Sequence, residues 1–150
     1  MSNLLKDKIP KENIIIDLEA TNKEEAIEKI AYKLYENKII DDVKLFVQDV
    51  FDREAQGTTG FGQGVSIPHG KSKSVLLSSV AIAKLKQPLE WKSLDGKLVD
   101  VVFLLAITLD DANIEHLRVL ATLSEKLMDD DFVIKIKKAQ TIEEIQMCLL

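Results

Sequence analysis

Hydrophobic and polar positions change their period several times along the chain, and each change marks an element. Residues 13–18 hold the run Ile14-Ile15-Ile16, whose β-branched side chains favour a buried strand. The period then becomes helical: Ala26, Ile27, Ile30, Ala31 and Leu34 recur on one face, Thr21 with Glu24 reads as a capping box, and the helix is expected to end near Asn37. Val43, Phe46, Val47, Val50 and Phe51 share the face of a second helix, capped by Asp41 or Asp42 and stopping near Gly57. Residues 80–83 and 99–107 read as strands, with Leu94-Asp95-Gly96 as a turn signal between them. The second of these is almost continuously apolar, as a central strand covered on both faces would be. A helix over residues 114–128 is expected to present Leu117, Leu120, Ala121 and Leu127; a shorter one covers 132–138; and Thr141 with Glu144 caps a last one. No internal repeat, linker or low-complexity segment interrupts the series. The expectation is a single α/β domain over residues 1–150, with a mixed, mostly buried β-sheet flanked by helices on both faces.

Composition narrows the class without changing that picture. The 150 residues suit one domain, and 46% hydrophobic with 30% charged residues is an ordinary globular balance. The apolar charge-free runs 74–83 and 101–109 are about half the roughly 20 residues needed to cross a bilayer, so no direct membrane insertion is expected. Lys6, Asp7 and Lys8 break up the N-terminal apolar residues, which argues against a secretory signal and for a cytoplasmic protein. The single Cys148 cannot form an internal disulfide, which agrees with a reducing compartment. A net charge of −5 argues against nucleic acid as a partner.

Chemistry concentrates in one place. Gly57, Gly60, Gly62, Gly64 and Gly70 are five of the six glycines, so residues 53–72 must have unusual backbone that can turn amides toward an anion. A phosphate-binding loop ending at Gly70-Lys71-Ser72 would need glycine where Val65 stands and would have to tolerate Pro68, which has no backbone donor. A dinucleotide fingerprint fails as well, because this segment follows a helix instead of leaving a strand. What remains is His69, between Pro68, which fixes one dihedral, and Gly70, which is expected to leave room for another molecule. An imidazole with a reference pKa of roughly 6.5 is a nucleophile near neutral pH without a metal or a separate base, and it suits phosphoryl transfer. Arg53, Thr58, Thr59, Ser66, Lys71 and Ser72 are candidate donors to a transferred phosphoryl group. From the residues alone, a structural hydrogen bond for His69 is an equal reading. A metal site is disfavoured, since His69, His116 and Cys148 are widely spaced. His116 taken alone reads as a boundary residue near a helix start.

The run Arg53-Glu54-Ala55-Gln56-Gly57-Thr58-Thr59-Gly60-Phe61-Gly62, continued by Ile67-Pro68-His69-Gly70-Lys71-Ser72, resembles the active-site signature of type-2 enzyme IIA domains of the bacterial sugar phosphotransferase system (PTS), the fructose and mannitol family. The likeness extends through residues 89–96, Val102-Phe103-Leu104-Leu105-Ala106 and Glu115-His116-Leu117, with Ser66 standing where the family usually has alanine. The resemblance implies a mixed sheet between helices and a phosphohistidine carrier with no cofactor. His69 would take a phosphoryl group on Nε2 from the phosphocarrier HPr and pass it to a cognate enzyme IIB, which works with a membrane IIC on separate chains. His116 and Arg53 would inherit the supporting roles, with Thr59, Gly70 and Ser72 as further support for the phosphoryl group. Two outputs are implied: sugar uptake of the fructose type, or a regulatory switch of the nitrogen-related type acting by protein binding. A degenerate interaction domain fits poorly with intact His69, His116 and Arg53.

Overall fold

The computed structural model describes residues 4–110 and 114–150, with side chains from residue 5 in the first stretch and from residue 117 in the second. Over these the chain runs α1 (Leu4–Lys8), a 3-10 turn (Lys11–Asn13), β1 (Ile14–Leu18), α2 (Lys23–Glu36) and α3 (Val43–Ala55). Three short strands follow, β2 (Gly60–Gly62), β3 (Val65–Ser66) and β4 (His69–Lys71). The remainder is β5 (Ser79–Leu89), β6 (Val99–Ile107), α4 (Ile114–Leu127), α5 (Asp130–Lys138) and α6 (Ile142–Cys148). The strands make one mixed sheet in the order β1-β5-β6-β3-β2, with β4 also paired to β6. Because antiparallel β5 occupies one edge of β6, β3 and β4 lie in succession along its other edge, both parallel to it.

The expected α/β sandwich is the observed one, and the period of β6 shows how it is made. Val102, Leu104 and Ala106 enter one apolar cluster with Ile27, Ile30 and Leu34 of α2 and Phe46 and Val50 of α3. Val101, Phe103, Leu105 and Ile107 enter a second with Val119 and Leu123 of α4, Phe132 and Ile136 of α5 and Ile145 of α6. Both faces are covered, which is why the strand reads as a continuous apolar run. Burying each large side chain contributes about 1.5–3 kcal/mol. Between the layers, buried Asn13 donates through Nδ2 to Ser79 Oγ (2.9 Å) and accepts from Asn37 Nδ2 (2.8 Å), joining the 3-10 turn, β5 and the end of α2.

Several expectations shift on inspection. The cap of α2 is Asn22, whose side chain accepts from Glu25 N at 2.8 Å, not Thr21; Glu25, rather than Glu24, reaches back to Thr21 N at 2.6 Å. The cap of α3 is Asp42, bonded to Leu45 N at 3.1 Å. In α4 the inward face is Val119, Leu123 and Leu127, while Leu117 is 62% exposed and Ala121 lies outside. Two apolar stripes overlap on this helix, and packing against α1 and α5 selects the second. Helix α5 begins at Asp130 because Asp129 caps it through Asp131 N at 3.0 Å. Its other end is closed by Lys84, whose ammonium donates to Lys137 O (2.7 Å) and Ala139 O, and whose pKa is pulled down by burial. The α6 capping box forms as expected, with Thr141 Oγ1 accepting from Glu144 N at 3.1 Å.

Candidate functional site

The glycine-rich segment is not an open loop but three short strands, β3 and β4 paired to β6 and β2 paired to β3. Gln63 and Gly64 turn the β2–β3 hairpin with φ of 57° and 84°, the positive pair that matches a two-residue hairpin to strand twist. At Gly64 it is the positive φ that calls for glycine; a Cβ there would also meet the movable end of Lys137 and lie 3.0 Å from Asp100 Oδ1. The turn is tied to the 94–96 segment by Gln63 N, which donates to Asp95 Oδ2 at 2.8 Å. That bond, with a second from Lys97 N, holds the Asp95 carboxyl below its usual range. Beyond the hairpin, Leu105 N donates to Pro68 O at 2.9 Å and Ser72 N to Ile107 O at 3.0 Å, so His69 sits in register with Leu105 on the central strand.

The side-chain directions follow from alternation along β4. A Cβ on Gly70 would lie 2.7 Å from Val50 Cγ2 and 3.1 Å from Phe46 Cε1, so that face meets α3. The missing side chain at Gly70 therefore admits α3, not the incoming molecule expected from the sequence. His69 points to the opposite face, the one on which α4 packs. The half-buried ring lies with Nδ1 3.1 Å from Ile67 O. A carbonyl oxygen only accepts, so Nδ1 carries the proton, and in the neutral ring the lone pair is on Nε2.

A polar cluster braces the segment between α3 and β2. Glu54, whose side chain is 6% exposed, accepts from Thr59 N (3.3 Å) and from the Thr59 hydroxyl, with Lys23 Nζ 3.8 Å from its carboxylate. Trp91 Nε1 donates to Thr59 Oγ1 at 3.3 Å, and Thr58 Oγ1 donates to Trp91 O at 2.8 Å. Sequence reasoning gave no role to Glu54 or Trp91. The available signals were a carboxylate opening a glycine run and a lone tryptophan between Glu90 and Lys92, which is fully buried.

The remaining candidates separate by what they touch. Arg53, in the last turn of α3, donates from Nη1 to Gly57 O at 3.0 Å. The Thr59 hydroxyl is taken up by Glu54 and Trp91, and the buried Ser72 hydroxyl by Ser74 Oγ at 2.8 Å; both brace the backbone around His69. Ser66 is fully buried and Lys71 exposed. His116 belongs to the first turn of α4, and its side chain lies outside the described residues.

A sequence profile of the family described as "Phosphoenolpyruvate-dependent sugar phosphotransferase system, EIIA 2" matches residues 7–150. The chain belongs to this family. It is a type-2 enzyme IIA phosphotransfer domain, a phosphotransferase component of the PTS. Over 86% of its length it is 36% identical to the 2-O-alpha-mannosyl-D-glycerate-specific EIIABC component of Escherichia coli, and over 91% it is 31% identical to the fructose-specific EIIABC component of Bacillus subtilis. The chain spans about a fifth of the length of each of these two relatives. A nitrogen regulatory protein of Bradyrhizobium diazoefficiens is 32% identical over 95% of this chain and 92% of its own. The crystal structure of the nitrogen regulatory protein IIA-Ntr of Neisseria meningitidis superimposes with a TM-score of 0.88 at 29% identity, covering 98% of this chain and 99% of that one. Among the described residues, no helix is long and apolar enough to cross a membrane.

Proposed function

We propose that Nε2 of His69 accepts a phosphoryl group from phospho-HPr and delivers it to a cognate enzyme IIB, in the service of sugar uptake of the fructose type. The observation that carries this reading is the bond from Nδ1 to Ile67 O, which keeps the lone pair on the other nitrogen. In the step, a P–N bond forms to that lone pair while the donor's P–N bond breaks and its electron pair returns to the donor ring. The Nδ1 proton stays against Ile67 O, so no separate base is needed. Arg53 and His116 take the supporting roles: charge-assisted hydrogen bonds from each to the phosphoryl oxygens would be worth about 1.5–3 kcal/mol. The solved complex of the mannitol IIA with phosphorylated mannitol IIB from Escherichia coli, and relatives named multiphosphoryl transfer protein, support an enzyme IIB partner and a place in phosphoryl transfer.

The test is to incubate wild type and His69→Ala with phospho-HPr and locate the acid-labile label. We expect label on Nε2 of His69 and none in the variant. Label persisting in His69→Ala would overturn the assignment. Arg53→Lys and His116→Ala should fold normally and transfer more slowly, because the planar fork and the imidazole donor are lost.

A second reading has its own support, since a nitrogen regulatory protein is 32% identical to this chain and the nitrogen regulatory IIA structure superimposes on it with a TM-score of 0.88. In that reading His69 is phosphorylated in the same way and the output is binding to another protein. Transfer of label onward from phospho-His69 to purified enzyme IIB proteins separates the two: rapid delivery to one of them favours uptake, and retention favours the switch.

A further inference from the structure

We infer that Glu54 is a positioning residue that sets the tautomer of His69 from the far side of the hairpin. The route is three sets of hydrogen bonds linked through the backbones of Thr59 and Ile67. The Glu54 carboxylate holds Thr59 by both its N–H (3.3 Å) and its hydroxyl. Thr59 O accepts from Ile67 N at 2.9 Å. Ile67 O accepts from His69 Nδ1 at 3.1 Å. Ile67 is thus bonded through both its N–H and its C=O, the first tying it to Thr59 and the second meeting the imidazole, with its Cα between the two peptide planes. Trp91 Nε1 adds the handedness, since by donating to Thr59 Oγ1 it obliges that hydroxyl to send its own proton to the carboxylate. Glu54 is therefore more than a packing residue: only an acceptor on both oxygens satisfies Thr59 in the orientation that aligns Ile67.

Glu54→Gln keeps the size and keeps one acceptor for Thr59 N, but its amide nitrogen cannot accept the hydroxyl proton. Thr59 then has two donors aimed at its oxygen and no acceptor for its hydrogen, so Ile67, whose carbonyl meets His69, loses the anchor on its N–H. The inference rests on the proposed phosphoryl transfer only for its kinetic consequence; the tautomer is a property of the unphosphorylated protein. The experiment is two-bond 1H–15N NMR of histidine-labelled protein, with wild type, Glu54→Gln and, as a destabilised control that removes the α6 cap, Thr141→Ala. We expect a dominant Nδ1–H tautomer for His69 in wild type and control and a mixture in Glu54→Gln. Single-turnover transfer from phospho-HPr per folded molecule should fall roughly tenfold in Glu54→Gln alone, the effect of about one net hydrogen bond on a barrier. If Glu54→Gln lowers the melting temperature but leaves the tautomer ratio and the rate unchanged, Glu54 is merely structural and the inference falls. If His69 takes no label in wild type, the transfer reading falls, and the tautomer ratio still decides the role of Glu54.

Discussion

Strands β4 and β6 lie side by side in one sheet, yet they are held by opposite means. In β6, all nine residues but Asp100 are buried, and alternate side chains fill two apolar clusters. In β4 there are three residues, one of them a glycine whose absent side chain admits α3, and the placement of His69 comes from backbone register and a buried polar series. The difference teaches a division of labour. Apolar burial is large and non-directional, so it sets stability; hydrogen bonds are small in net energy but directional, so they set where a ring nitrogen points.

The sharpest way to break this comparison is Phe103→Ala, which empties a fully buried position in β6. It should cost about 3–5 kcal/mol in denaturant unfolding, while transfer per folded molecule at low temperature stays near wild type. A large rate loss at full folding would mean that the core also aims the site. Gly70→Ala comes next, because its Cβ meets Val50 at 2.7 Å and must displace β4 or α3. We expect a loss of about 1–3 kcal/mol, and unlike Phe103→Ala a slower transfer per folded molecule, since His69 shares the strand. Thr141→Ala removes the α6 cap and should cost about 1 kcal/mol with no change in transfer.

The smallest effect is a pH dependence at Asp95. Its folded pKa lies below the ordinary carboxylate value because Gln63 N and Lys97 N donate to it. A depressed pKa means the contribution is complete above about pH 4 and fades as the pH falls through the folded value. Melting temperatures of wild type and Asp95→Asn should therefore differ slightly at pH 7 and converge on acidification. A gap that is constant from pH 7 to pH 3 would show that the charge on Asp95 does not hold the hairpin.

The sequence by itself determined the helical and strand periods that are long enough to repeat. The bounds of β6, an aspartate cap at 41 or 42 for α3, the Thr141 capping box and the two-faced burial of the sheet were all legible, because each rests on neighbours within a few residues or on a period counted along one element. The glycine-rich run was legible as a place of unusual chemistry, with His69 at its end. Only the tertiary structure decided that this run is three short strands, since segments of two or three residues have no period, and β3 and β4 are paired to β6, more than thirty residues ahead. It also decided which of two overlapping apolar stripes of α4 turns inward, because that choice belongs to α1 and α5. Most consequentially, it joined Glu54, Thr59, Ile67 and His69 into one series and brought Trp91 to it from beyond β5. A hydrogen bond is defined by an angle and about 3 Å of distance, and neither is written in a linear order of residues.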